Sequence, residues 1–361
     1  MLLNTWSLAL SLGSLLVVFL LGVAAVSAVR VLRYWNPASD DARQIGLESE
    51  IWLSSTLVAY ALGIQIISLV LLVLAADEFA GVITGAMCAT GTLLANDFGI
   101  PALLLKMTGV FFYGFWLVLH RLDTRSEFYP LVRLKCWYLL AIIPLVGADI
   151  VLQTLYLLNL QPDIIVSCCA VVFSAASSGS QFMAEMAGNR LVPYFYGTMI
   201  LLALLGGLVA WRHRKFAPAA EAAAAEPDRA DRLLLAGYGL AWAFFLPLAL
   251  LTIITVISSY IYAMPFHNCP FCILKPEYAY VGFAIYGTLL PAAFLAISAP
   301  VVDLLRPRFR LNGVATRPAA GEEVVTAYQR FALLISLLLL VLFAFFSSFH
   351  LWRYFIMGGE V

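Results

Sequence analysis

Charged residues are scarce in this chain of 361 residues: Asp, Glu, Lys and Arg make up 12%, against 63% hydrophobic. That balance excludes a water-soluble domain, because the apolar surface exceeds what one core can bury. There is no extended basic block and the net charge is zero, which excludes a nucleic-acid partner held by a positive patch. Histidine is limited to four residues. His120 and His213 fall at one set of expected helix ends, and His267 and His350 towards the other. No pair sits mid-membrane on one face, which argues against a bis-histidine haem.

Long apolar runs occupy the space that charge leaves. Eight segments, near 6–29, 51–76, 100–120, 136–159, 191–211, 233–262, 279–303 and 328–352, each offer the roughly 20 apolar residues that a helix needs to cross hydrocarbon. An open sheet leaves backbone groups unsatisfied in lipid, so the expected fold is an all-α membrane bundle of about eight transmembrane helices. Pro144, Pro247 and Pro291 fall inside these segments and predict kinks. The first segment reads as an uncleaved helix rather than a signal peptide. No positive charge precedes it, and Arg30 and Arg33 follow at once.

The few basic residues are strongly biased in position. All of the 21 Lys and Arg except Lys106, Arg190, Lys275 and Arg353 fall in the loops after the first, third, fifth and seventh segments. The positive-inside bias makes those loops cytoplasmic and puts both termini on the outer side. Residues 213–231 read as a cytoplasmic linker with an Ala-rich, low-complexity centre at 216–228. The chain 1–361 reads as a single polytopic domain in a bacterial-type inner membrane, with the lipid bilayer as its first partner. The outer loops 77–99 and 160–190 are long but rich in Ala, Gly, Ser, Thr and Val, so they are expected to pack over the bundle or dip into it.

Cysteine supplies the sharpest chemical signal. Five of the six, Cys88, Cys168, Cys169, Cys269 and Cys272, fall in outer loops, and Cys136 falls at a cytoplasmic edge, where it reads as a small buried hydrophobe. The segment Pro265-Phe266-His267-Asn268-Cys269-Pro270-Phe271-Cys272 precedes the seventh helix. A Cys-X-X-Cys pair closes a small disulfide ring, and a helix start stabilises the first thiolate through its unpaired N–H groups. His267 is placed to stabilise that thiolate or relay its proton, and Pro270 suits a first helical turn. Cys272, inside that turn, is expected to be the more shielded sulfur. The same spacing serves two other roles. His267, Cys269 and Cys272 form a soft-metal ligand set, with Met87, Met183, Met186 and Met264 nearby to suit Cu(I). A structural disulfide is the other, either within the pair or from Cys88 to Cys168 or Cys169. A bond between adjacent Cys168 and Cys169 would be strained and easily reduced.

Cys269-Pro270-Phe271-Cys272 resembles the Cys-Pro-X-Cys centres of thioredoxin and glutaredoxin. Its place at the outer end of a membrane helix, with further outer cysteines, is similar to the DsbB and vitamin K epoxide reductase group. The resemblance is local and covers about a tenth of the chain. It implies that Cys269 and Cys272 pass electrons to a bound quinone, while Cys168 and Cys169 exchange with an extracytoplasmic thiol protein. That group has four or five helices, its second pair is not adjacent, and Cys88 has no counterpart in it. The favoured function is therefore membrane thiol–disulfide redox chemistry, with quinone as the candidate cofactor. Copper binding, or a non-catalytic place in a larger membrane complex, are the alternatives.

A second signal is ionisable groups within the spans. Lys106 in the third and Asp149 in the fourth lie at comparable depth, with Gln153 one turn beyond Asp149 and Gln65 available from the second. Ionised groups in hydrocarbon pair or line a wet cavity. Lys106 and Asp149 are expected to form an ion pair, structural or lining a proton or substrate path.

Overall fold

The computed structural model describes residues 4–35, 41–125, 129–163, 166, 191–215, 229–263, 267, 269–311 and 318–357. Their regular structure is helical, and eight helices are long and apolar enough to span a membrane. The chain is thus an integral, multi-pass helical membrane protein. Cys168 and Cys169, most of loop 160–190 and the linker centre 216–228 lie outside the described residues.

The chain divides into two compact units, 1–166 and 167–361. The first contains α1 (Thr5–Tyr34), α2 (Ala42–Phe79), the short α3 (Ala89–Leu93), α4 (Gly99–Thr124) and α5 (Val132–Leu158). Here α1 packs on α2 and α5, and α4 packs on α2 and α5, closing a four-helix ring. The second contains α6 (Leu191–Lys215), α7 (Arg229–Tyr262), α8 (Val281–Asp303), the short α9 (Arg306–Leu311) and α10 (Pro318–Ile356). Its long helices form the same ring, α6 on α7, α7 on α8, α8 on α10 and α10 on α6. Neighbours in sequence are therefore neighbours in space, as in up-and-down bundles with short connections.

Except in α8, the helices run several residues beyond the apolar segments, because their ends continue into polar turns that hydropathy does not register. Asn4 caps α1 by accepting the Trp6 N–H at 3.0 Å. Pro144, Pro247, Pro291 and Pro300 are accommodated inside helices. In α7 the Ile253–Ile257 turn is a π-helix six residues after Pro247, a local widening of the hydrogen-bond ladder.

Packing follows membrane rules. Large apolar side chains such as Leu12, Leu15, Phe19, Leu204 and Phe244 point outward, as lipid requires. Small residues line contacts between helices: Ala292, Ala293, Ala296 and Ala299 of α8 are fully buried and let backbones approach.

Four helix-to-helix turns each carry an ion pair. Arg30–Glu50 (3.1 Å) joins α1 to α2, and Lys135–Asp123 (2.9 Å) joins α5 to α4. Arg212–Asp231 joins α6 to α7, and Arg306–Asp303 (3.0 Å) joins α9 to α8. These are the four connections rich in basic residues. The Arg30 pair is solvent-exposed and adds little. The Asp123 pair is buried, and Asp123 also accepts the Leu131 N–H at 2.9 Å, so one carboxylate ties the end of α4 to the start of α5.

The α2–α4 connection behaves as its composition suggests. Ile83, Cys88, Leu93 and Ala95 are buried, as are all five residues of α3. Polar bonds tie the segment to the bundle: the Thr92 hydroxyl donates to the Ala76 carbonyl at 2.6 Å, and the Ala89 N–H donates to Asp77 Oδ1 at 3.3 Å. Asn96 Nδ2 donates to the Tyr156 carbonyl at 3.0 Å.

Candidate dithiol site

The Cys-X-X-Cys segment lies in the second unit, between α7 and α8. Helix α7 stops where Ala263 takes a left-handed conformation (φ 53°). The chain then passes through His267 to Cys269, and Cys272 opens a 3₁₀ turn, Cys272–Leu274. Lys275 is extended because Pro276 follows it. A second 3₁₀ turn, Pro276–Tyr278, leads to left-handed Ala279 and Tyr280 (φ 52° and 56°), and α8 starts at Val281.

This corrects one expectation. The cysteines do not sit at the start of the spanning helix, because Pro276 and two left-handed residues separate them from it. The α8 dipole and its free N–H groups are therefore not those that meet Cys269. A loop amide takes that part: the Phe271 N–H donates to Cys269 Sγ at 3.4 Å. The expected order of shielding is also reversed. Cys269 is fully buried, and Cys272 retains 7% of its surface. The sulfurs lie within 4.8 Å of each other as thiols.

Three tyrosines hold this turn. The Tyr262 hydroxyl, at the end of α7, donates to the Cys269 carbonyl, and the Tyr286 hydroxyl, one turn into α8, donates to the Pro270 carbonyl at 2.9 Å. The Tyr262 ring meets His267 edge-on at 4.5 Å and Tyr278 at 4.6 Å. His267 is thus fixed against an aromatic ring. The Tyr278 phenol is held above its ordinary range, first by burial and then by Cys272, Glu277 and Cys269, with Lys275 opposing. It stays protonated at neutral pH. The sequence reading missed these tyrosines, since Tyr at a helix end is the ordinary signature of a membrane interface.

The other predicted residues that the structure describes belong to the first unit. In the first unit, buried Cys88 precedes α3, and its carbonyl accepts the Gly91 N–H at 3.0 Å. Cys136 lies in the apolar core of that unit with Trp116, Val132 and Leu139, as a small hydrophobe. Lys106 and Asp149 meet in the first unit, with Lys106 Nζ 3.1 Å from Asp149 Oδ1. Gln65 Nε2 donates to Asp149 Oδ2 at 2.6 Å. Gln153 turns instead to α1, donating to Ser14 Oγ at 2.9 Å and the Leu10 carbonyl at 3.3 Å.

No family model, curated protein or solved structure matches this chain. The chemistry of the site therefore rests on its own geometry. Closing a disulfide requires the sulfurs to approach to about 2.05 Å, which side-chain rotation in a Cys-X-X-Cys turn supplies. Two metal–sulfur bonds of about 2.3 Å also span the present separation.

Proposed function

We propose that this protein is a membrane thiol–disulfide redox protein whose centre is Cys269 and Cys272. The observation that carries the reading is the Phe271 N–H aimed at Cys269 Sγ, with the second sulfur within 4.8 Å. A hydrogen bond to sulfur favours the thiolate, the nucleophilic form. Cys269 thiolate attacks an oxidised partner disulfide to give a mixed disulfide, and Cys272 then displaces the partner thiol. The pair becomes a disulfide, and two electrons and two protons pass to the partner. The resemblance noted above runs this reversible exchange in the opposite direction: a reduced extracytoplasmic thiol protein, by way of Cys168 and Cys169, reduces the Cys269–Cys272 disulfide, and the resulting dithiol passes two electrons and two protons to a quinone, which becomes a quinol. It also supports a bacterial-type inner membrane as the setting.

A second reading, a soft-metal site of the copper type, is favoured by the burial of both sulfurs, which leaves little surface for a protein partner. One experiment separates the two. The full chain in its native membranes is poised in redox buffers, quenched and alkylated with a mass tag. The redox reading expects Cys269 and Cys272 to convert together as a two-electron couple, with the ratio changing tenfold per about 30 mV. It also expects Cys272→Ser to accumulate a mixed disulfide that Cys269→Ser does not form. A pair that never changes state across the accessible range overturns it. Stoichiometric Cu(I) binding by reduced protein, abolished by Cys269→Ser and by His267→Ala, puts the metal reading in its place. Normal function after both cysteines become Ser makes the protein a non-catalytic component of a larger complex.

Orientation is part of the same proposal, since thiol exchange with an extracytoplasmic protein needs the dithiol turn outside. An impermeant reagent applied to intact cells is expected to label tags at both termini. A protected C-terminus overturns the orientation drawn from the basic-residue bias.

A further inference from the structure

The first unit carries a basic groove that the dithiol reading does not use. It lies between the last turns of α1 and the first turns of α2 and encloses about 600 Å³. Its charged lining is Arg30, Arg33, Arg43 and Glu50, set around Tyr34 and Gly46. Three guanidiniums therefore share one carboxylate. That carboxylate is already engaged: Glu50 Oε1 accepts from Arg30 Nη1 at 3.1 Å and from the Ser27 hydroxyl at 2.9 Å. The Arg33 and Arg43 side chains have no hydrogen-bond or ion-pair partner among the described residues. Arg43 is instead fixed by its neighbour, with its guanidinium carbon 3.8 Å from the centre of the Tyr34 ring. A guanidinium held over a ring face keeps its in-plane N–H donors for a ligand.

Two further features belong to the groove. A Cβ on Gly46 would meet nothing within 4 Å, so packing does not require glycine there. Glycine is the least favourable helix residue after proline, and what its missing side chain supplies here is open floor. The groove also sits where the apolar run of α1 gives way to Arg30 and Arg33, the level of lipid headgroups. One turn deeper, Val26 of α1 and Leu53 of α2 are exposed, as a surface against acyl chains requires. A topology signal needs only charge on one side of the membrane. It needs neither a groove nor a stacked guanidinium nor an open glycine.

We propose that this groove binds the phosphate of an anionic phospholipid, held by Arg33 and Arg43. A phosphodiester presents anionic oxygens that match the guanidinium fork. Arg43, preset on Tyr34, takes one side of the phosphate and Arg33 the other, while Arg30 stays with Glu50. The acyl chains run past Val26 and Leu53. An anion between two cations that lack carboxylates also removes their mutual repulsion. The proposal does not rest on the dithiol reading, whose cysteine pair belongs to the second unit.

The test is native mass spectrometry of the full chain in neutral detergent, titrated with phosphatidylglycerol and, separately, with phosphatidylcholine carrying the same chains. One phosphatidylglycerol is expected to bind about 25-fold more tightly, from about fivefold for each arginine at a membrane surface. Arg33→Gln/Arg43→Gln is expected to abolish that preference. Gly46→Leu, which changes no charge, is expected to block the lipid by filling the floor. All three positions are exposed, so the thermal midpoint in detergent is expected to hold in both variants. Arg229→Gln/Arg308→Gln removes the same charge from exposed positions of the second unit and is expected to leave binding unchanged. Equal retention of the two lipids, or an equal loss in the Arg229 and Arg308 control, overturns the proposal in favour of diffuse charge attraction. Unaltered lipid binding by Gly46→Leu overturns it as well. Displacement of the lipid by an equal concentration of inorganic phosphate would assign the groove to a soluble phosphate instead.

Discussion

Lys106→Met is expected to destabilise the protein by about 3–5 kcal/mol, the range for removing one partner of a buried ion pair. Lys106 is 1% exposed and Asp149 is fully buried, so no solvent is available to take over the lost charge. The variant has two routes, and both lose stability. Either Asp149 stays ionised with only the neutral donors Gln65 and Tyr113 bonded to it, or it takes up a proton and those bonds weaken. Ser68 loses the donor at its oxygen in both cases. Lys106→Met/Asp149→Leu removes both charges and is expected to regain most of the membrane yield and of the thermal midpoint in detergent, because two apolar side chains need no partner. The measurement is a double-mutant cycle on that midpoint. Additive losses, with the double variant worse than either single one, would show that the two residues are not coupled.

Gly85→Ala is the second large effect, and it acts through the backbone. Gly85 has φ 86°, a region where a Cβ costs about 1–2 kcal/mol. A Cβ there would also stand 2.5 Å from the Val166 carbonyl oxygen, a backbone atom whose own N–H donates to the Thr84 carbonyl at 3.1 Å. Moving Val166 aside breaks that bond, and overpacking adds about 1–3 kcal/mol. The expected total is about 2–5 kcal/mol. Because the α2–α4 connection is pinned at this point, Cys88 is also expected to alkylate faster in the variant. Gly81→Ala is the control. Its nearest contact would be the Glu78 carbonyl at 3.6 Å, ordinary van der Waals distance, and a change within about 0.5 kcal/mol is expected. Equal behaviour of the two variants would remove the steric argument.

Membrane character was legible because it depends on summed quantities. Twenty apolar residues make a span whatever their order, so each of the eight segments coincides with a helix found in the structure, overrunning it by two residues at most. The buried character of the α2–α4 connection was legible for a similar reason: a long loop whose only charged residue is Asp97 has little use for water. The Cys-X-X-Cys turn was visible as a motif but misplaced relative to the helix. Left-handed Ala279 and Tyr280 break the chain before Val281, and neither residue type announces a positive φ. The tyrosines around the turn were hidden for a different reason. Tyr262, Tyr278 and Tyr286 are spread over two helices and a loop, and only folding brings their hydroxyls and rings onto one segment.

By itself the sequence determined the helix count, the helical class and the two chemically distinctive groups, the Cys269–Cys272 pair and the intramembrane Lys106 and Asp149. These follow from local composition and from the high free energy of charge in hydrocarbon, which need no knowledge of neighbours. Tertiary structure alone decided which groups face one another. It set the grouping of helices into two four-helix rings, the partition of Gln65 to Asp149 and of Gln153 to Ser14, and the amide that meets Cys269. Depth along a helix can be counted in residues. The rotation of that helix about its axis is set by packing small residues against neighbouring backbones, and rotation decides which polar atoms meet and which remain open.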